Sequence, residues 1–236
     1  MFLKLLIWKE GVIYHGGLLR FFHGFRVKET LQAKYHFPVA ALNDGKAAAL
    51  AELATGHLKG VTNGAALVLG SGLGGGIIIN GKLFQGSHFQ AGELTFLLPL
   101  QMEKLDPSLM QGTTLSDIGL ITKVNEILAS LDLKDGLLAF KAINAKKEAV
   151  YPIFETYCRN LAITILNLQT IFDMETFVLG GGISAQSILI EEVNRQFDKV
   201  HHEIDFIGKI IKRPKIVACH HNGTNLIGAA YFLKQG

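Results

Sequence analysis

The chain has 236 residues, 49% hydrophobic and 18% charged, and a net charge of +3. This is enough for one large domain or two modest lobes with their own cores, and the composition is that of a folded chain rather than a disordered one. The small charge, basic residues scattered except at 209–213, and the absence of any 18-residue apolar run speak against nucleic acid and membrane as partners.

Residues 1–8 are too short for a signal peptide, and Cys158 and Cys219 match no metal or redox spacing. A cytoplasmic protein with reduced thiols is therefore expected. Residues 12–31 read as irregular, with bends at Gly16, Gly17 and Gly24. Residues 37–42 read as a buried strand, after which Asn43 and Asp44 open an alanine-rich helix over 45–56 that Gly56 closes. Asp44 thus stands where a strand turns into a helix. α/β proteins place catalytic groups there, because the strand fixes the backbone and the helix N-terminus favours an anion. A plain helix cap is the other reading these residues allow.

Gly70, Ser71, Gly72, Leu73, Gly74, Gly75 and Gly76 put five glycines in seven residues. They lie in a hairpin between strands at 65–69 and 77–79, and Asn80-Gly81 favours a type I′ turn after it. No helix opens after the glycines, so a dinucleotide fingerprint does not fit. A backbone that cradles phosphate fits, as does a bulged hairpin with no ligand. Residues 116–133 carry apolar residues at helical spacing (Ile118, Ile121, Val124, Ile127, Leu128, Leu131), and so does the longer segment 145–172. Both faces are expected to be core. A strand at 175–179 runs into Gly180, Gly181 and Gly182, and a helix follows over 185–200. This second strand–glycine–helix junction suits a nucleotide. A strand at 215–219 and a helix over 223–234 complete the chain.

The order and spacing of these motifs, together with Ala91-Gly92-Glu93 and the glycine within 226–230, resemble the ROK-family sugar kinases from about residue 11 onward. The resemblance implies an α/β protein of the actin-like, hexokinase-like ATPase fold in two lobes: 1–58 with 223–236, and 59–222. It implies Asp44 as the general base that takes the proton of a sugar hydroxyl, with Asn43 and Glu93 binding other hydroxyls and Gly17 close to the sugar. Gly70, Ser71, Gly72, Gly74 and Gly75 would hold the phosphates of ATP, Gly180, Gly181 and Gly182 would lie against its adenosine, and Mg²⁺ would arrive with the nucleotide. The partner is then a small-molecule sugar, and a homodimer is compatible with the family.

Three departures qualify the match. The family's Asp-x-Gly-Gly-Thr phosphate loop does not occur in this sequence, so a truncated N-terminal lobe and impaired turnover are expected. Where many members have a zinc site, Glu93-Leu94-Thr95-Phe96 follows without cysteines, and no zinc is expected. His201-His202 and His220-His221 are adjacent pairs, whose side chains point apart and do not form a tetrahedral set. Gln111-Gly112-Thr113-Thr114 stands where the family carries a glutamate before Ser116. Zinc-free β-glucoside kinases are the members this version looks most like. ATP-dependent phosphorylation of a sugar or β-glucoside is the expected activity, and a sugar-binding remnant without phosphotransfer is the alternative.

Overall fold

The computed structural model describes residues 6–7, 11–14, 20–98, 106–220 and 225–235. Near the N-terminus, β1 (Leu6–Ile7) pairs antiparallel with β2 (Ile13–Tyr14), and Val12 bridges to Arg26. Helix α1 (Val27–Tyr35) occupies part of the segment expected to be irregular. Its residues form helices readily but none is buried, so it lacks the apolar stripe by which a helix is recognised. Residues 37–42 form no strand, and Phe37 is 73% exposed. A strand needs a ladder, and none of the described residues pairs with this segment.

Helix α2 (Asp44–Thr55) is followed by β3 (Gly64–Leu69), β4 (Leu73–Ile79) and β5 (Lys82–Phe84). Asn80 and Gly81 both have positive φ, 52° and 69°, as a type I′ turn between β4 and β5 requires. The helical region holds α3 (Gln111–Thr114), α4 (Asp117–Ile127), α5 (Gly136–Asn144) and α6 (Tyr151–Phe172). Helix α4 stops short of 133, leaving Leu131 exposed; Ile118 and Ile127 are also exposed, and Leu120 and Val124 supply its fully buried apolar contacts. Helix α6 starts at Tyr151 rather than 145, with Pro152 in its first turn. Pro suits that position because the first helical N–H groups have no partner inside the helix. Strand β6 (Thr176–Gly181), α7 (Ser187–Glu203), α8 (Asp205–Ile210), β7 (Lys215–Ala218) and α9 (Asn225–Gln235) follow. The basic segment 209–213 begins within α8, where Lys209 pairs with Asp205 at 2.6 Å in solvent.

The main sheet has the order β5-β4-β3-β6-β7, with β3, β6 and β7 parallel and β4 antiparallel to β3. Alternation along β3 sends Ala65, Leu67 and Leu69 into a core with α4 to α7, and Ala66 and Val68 into a second core with α2 and α9. Gly228 is what lets α9 approach α2, since a Cβ there would collide with the Ala47 backbone. Helices α2 and α9 thus pack on the face of the sheet that carries Ala66 and Val68.

Candidate active site

The N-terminus of α2 is capped by Asn43, whose Oδ1 accepts the Gly45 N–H at 2.9 Å while its Nδ2 donates to Glu93 Oε1 at 3.2 Å. Asp44 is the first helical residue, not the cap. Its Oδ1 also accepts the Gly45 N–H, at 2.8 Å, and the partly positive helix end stabilises the carboxylate. Across from it lies β4. A Cβ built on Gly74 would sit 3.8 Å from Asp44 Oδ1, so bare backbone faces the carboxylate.

The glycine run is not one open loop. Gly74, Gly75 and Gly76 are strand residues of β4, laddered to Val68, Leu67 and Ala66. Gly75 and Gly76 serve close packing. A Cβ on Gly45 would come within 2.7 Å of the Gly75 backbone, and one on Gly75 within 2.8 Å of the Gly92 carbonyl. Three pieces of chain thus stack backbone to backbone: the α2 start, β4 and the segment before Glu93. The turn is Gly70–Gly72, closed by the Gly70 N–H donating to the Gly72 carbonyl at 3.0 Å and tied to α4 by the Asp117 N–H donating to the Gly70 carbonyl at 2.9 Å. Thr95 anchors its far end, accepting the Leu73 N–H at 3.1 Å and donating to the Leu73 carbonyl at 3.0 Å.

The second glycine cluster lies at the same edge. In the parallel register Gly180 pairs with Val68 and Gly181 with Leu69, and Leu179 pairs with Ala218, so β3, β6 and β7 end together. Open α/β sheets bind ligands outside such carboxyl ends. Gly181 has φ 104°, and a Cβ there would collide with the Leu69 backbone. Among the described residues a Cβ on Gly182 would meet only Asp117 Oδ2, at 3.4 Å. Asp117 is 8% exposed, its Oδ1 has no hydrogen-bond partner among the described residues, and burial pushes its carboxyl above the usual range. Beside this edge opens a cavity of about 440 Å³ lined by Ser184, Ser187, Glu191, Cys219 and His220 among others.

Asp44, Asn43, Glu93, the Gly70–Gly72 turn and Gly180 to Gly182 are thus gathered around one end of the sheet, and Gly17 lies outside the described residues. The sequence reading missed Lys46. It is 2% exposed, and its Nζ donates to the Phe89 carbonyl. Burial lowers its pKa, and the charge of Glu93 works against that shift. The available signal was a single lysine within residues 45–51, which are otherwise Gly, Ala and Leu and give it no polar neighbour there.

Helices on both faces of this mixed sheet, with the ends of β3 and β6 gathered beside α2, define an α/β protein of the actin-like, hexokinase-like ATPase architecture. The ROK hexokinase of Thermus thermophilus shares the fold with a TM-score of 0.80 at 22% identity, over 99% of this chain and 78% of that one. The chain belongs to the ROK family, whose match covers residues 9–236. A β-glucoside kinase of Listeria innocua is 30% identical over 233 residues, 96% of this chain and 75% of that protein. A β-glucoside kinase of Klebsiella pneumoniae is 28% identical over 229 residues, 96% of this chain and 74% of that protein. The crystal structure of a ROK family protein from Streptococcus pneumoniae in complex with sucrose has a TM-score of 0.83 at 30% identity, over 98% of this chain and 78% of that one.

Proposed function

We propose that this chain is a ROK-type carbohydrate kinase that transfers the γ-phosphoryl group of ATP to a hydroxyl of a sugar or β-glucoside. The observation that carries the reading is the carboxylate of Asp44 facing bare backbone at Gly74, beside Asn43 hydrogen-bonded to Glu93. Asn43 and Glu93 orient the sugar through its hydroxyls. Asp44 accepts the proton of the reacting hydroxyl as its oxygen bonds the γ-phosphorus and ADP leaves with the broken P–O bond electrons. The donor set fits the nucleotide: glycine backbone at Gly70, Gly72 and Gly74 with Ser71 for the phosphates, and Gly180 to Gly182 beside a cavity for the adenosine. Mg²⁺ would enter held mainly by those phosphates, and it supplies neutralisation of their charge. The division into 1–58 with 223–236 and 59–222 belongs to the same proposal, with the cleft between the α2 start and the strand ends. A cytoplasmic, sugar-using enzyme, able to form a homodimer, completes it.

The test is a coupled assay for ADP release with methyl β-glucoside, cellobiose and glucose. It is run on the 236-residue chain and on a version with an Asp-x-Gly-Gly-Thr strand fused ahead of Gly11. Sugar-dependent turnover in either supports the kinase reading, with the higher rate expected in the fused protein. Because Asp-x-Gly-Gly-Thr does not occur within residues 1–236, a second reading stands beside it, a protein that binds sugar without transferring phosphate. Sugar binding in both proteins with ADP release in neither would decide for that one.

A further inference from the structure

We propose that Lys46 is a positioning residue that clamps segment 85–93 to the first turn of α2 and thereby fixes the place of Glu93. The proposal rests on the reading of Glu93 as a sugar-binding residue and extends it to the group behind that carboxylate. A lysine on a helix ordinarily runs its stem along the surface and keeps its ammonium in water. Lys46 does the opposite, at 2% exposure, with Nζ donating to the Phe89 carbonyl.

The segment it reaches is one whose backbone needs holding. Gly86, Phe89 and Gly92 all have positive φ, 74°, 58° and 87°, and for Phe89 that conformation is intrinsically unfavourable. Its own hydrogen bonds are local: the Ala91 N–H donates to Gln85, the Glu93 N–H to Gln90 and the Leu94 N–H to Gly92, at 3.1, 3.2 and 2.8 Å. Its side-chain ties to the start of α2 include Lys46 to Phe89 and Asn43 to Glu93. They leave the helix start three residues apart, the spacing that puts two side chains on one face. The segment is therefore fastened at Phe89 and again at Glu93, four residues on. Stability alone does not call for an ammonium here, because a well-packed apolar side chain in place of a buried charge is often neutral or stabilising. What an apolar side chain does not supply is a charged donor on the Phe89 carbonyl and a positive charge near Glu93.

The experiment compares the 236-residue chain with Lys46→Met, which keeps the stem and removes the charge, and Lys46→Gln, which keeps a neutral donor. Amide hydrogen exchange is followed at Ala91, Glu93 and Leu94 and, as a reference, along α6. Binding of methyl β-glucoside and of ATP is measured by calorimetry. In Lys46→Met the three amides are expected to exchange at least about tenfold faster with α6 unchanged, the scale of one lost charged hydrogen bond. Sugar binding should weaken by a similar factor and ATP binding by less than about twofold, and Lys46→Gln should fall between. Unchanged exchange at Ala91, Glu93 and Leu94 overturns the proposal whatever the sugar data. So does an acceleration shared equally by α6, which would make Lys46 an ordinary core residue. If Lys46→Met fails to fold, Lys46→Gln decides by the same criteria. A wild-type chain that binds no sugar overturns the reading of Glu93, and the exchange result then decides the clamp alone.

Discussion

At the scale of single residues, the distinction between Asp44 and Asn43 governs what a substitution reveals. Asn43 carries the helix cap through its side chain, and Asp44 is the first residue inside the helix. An uncharged side chain at Asp44 keeps the cap and removes the base. Asp44→Asn is expected to lower kcat at least about a hundredfold while leaving the sugar Kd within about twofold. Rate and binding must be read separately, by single-turnover kinetics and calorimetry on one preparation. Equal turnover in the variant would reduce Asp44 to a local acceptor for the Gly45 N–H. Asn43→Ala should do the reverse in part. It removes the Asn43–Glu93 hydrogen bond and uncaps α2, so sugar affinity and thermal stability fall together.

Among the elements, α6 and α7 are joined by a polar network under the apolar interface. Glu192, 3% exposed, accepts from the Tyr151 hydroxyl at 3.0 Å and from Arg195 Nε and Gln196 Nε2 at 2.8 and 2.7 Å, and Arg195 also pairs with Glu155. Burial alone would raise the Glu192 carboxyl, but its hydrogen bonds from Arg195, Gln196 and Tyr151 outweigh it and hold the group below the usual range. Burial and the same carboxylate push Tyr151 up to about 12. A carboxyl lowered on folding stabilises the protein above its unfolded pKa, and that stability is lost as pH falls through the lower folded value. Glu192→Gln should thus cost about 1.5 kcal/mol at pH 7, a few degrees of Tm, and the gap to wild type should narrow and close as pH falls below the ordinary carboxylate range. A gap that stays constant with pH would mean the charge contributes nothing. The same elements show what a sequence makes legible. Helix α6 and strands β3 and β6 stand out because one side of each is continuously apolar, buried in the larger core. Helix α1 has no fully buried residue, so no apolar stripe marks it. Residues 37–42 look apolar enough for a strand, but a ladder partner is a tertiary fact that local composition does not carry.

In the whole molecule the site is made by strand register. Motifs more than a hundred residues apart meet because Leu69 and Gly181 are partners in a parallel pair, and each glycine cluster was readable in its own stretch of sequence. The packing role of Gly75 and Gly76 was not, since it depends on α2 and the Gly92 backbone arriving from elsewhere. The same spacing logic bears on metal. Among the described residues no three His, Cys, Asp or Glu side chains are grouped to hold an ion. His201 Nε2 is bonded to the Ile211 carbonyl at 2.6 Å, whereas His202 Nδ1 meets the Asp198 carbonyl, and His220 stands edge-on to His57. Cys158 is buried, and burial pushes its thiol well up, away from the thiolate a metal binds. Structural zinc contributes folding free energy directly, so a protein that depends on it unfolds when the metal is stripped. Untagged protein is therefore expected to contain well under one zinc per chain by elemental analysis, with a Tm that EDTA shifts by less than about 1 °C. Stoichiometric zinc together with a chelator-sensitive Tm would place a metal site in this chain and show that the segment after Glu93 is not zinc-free.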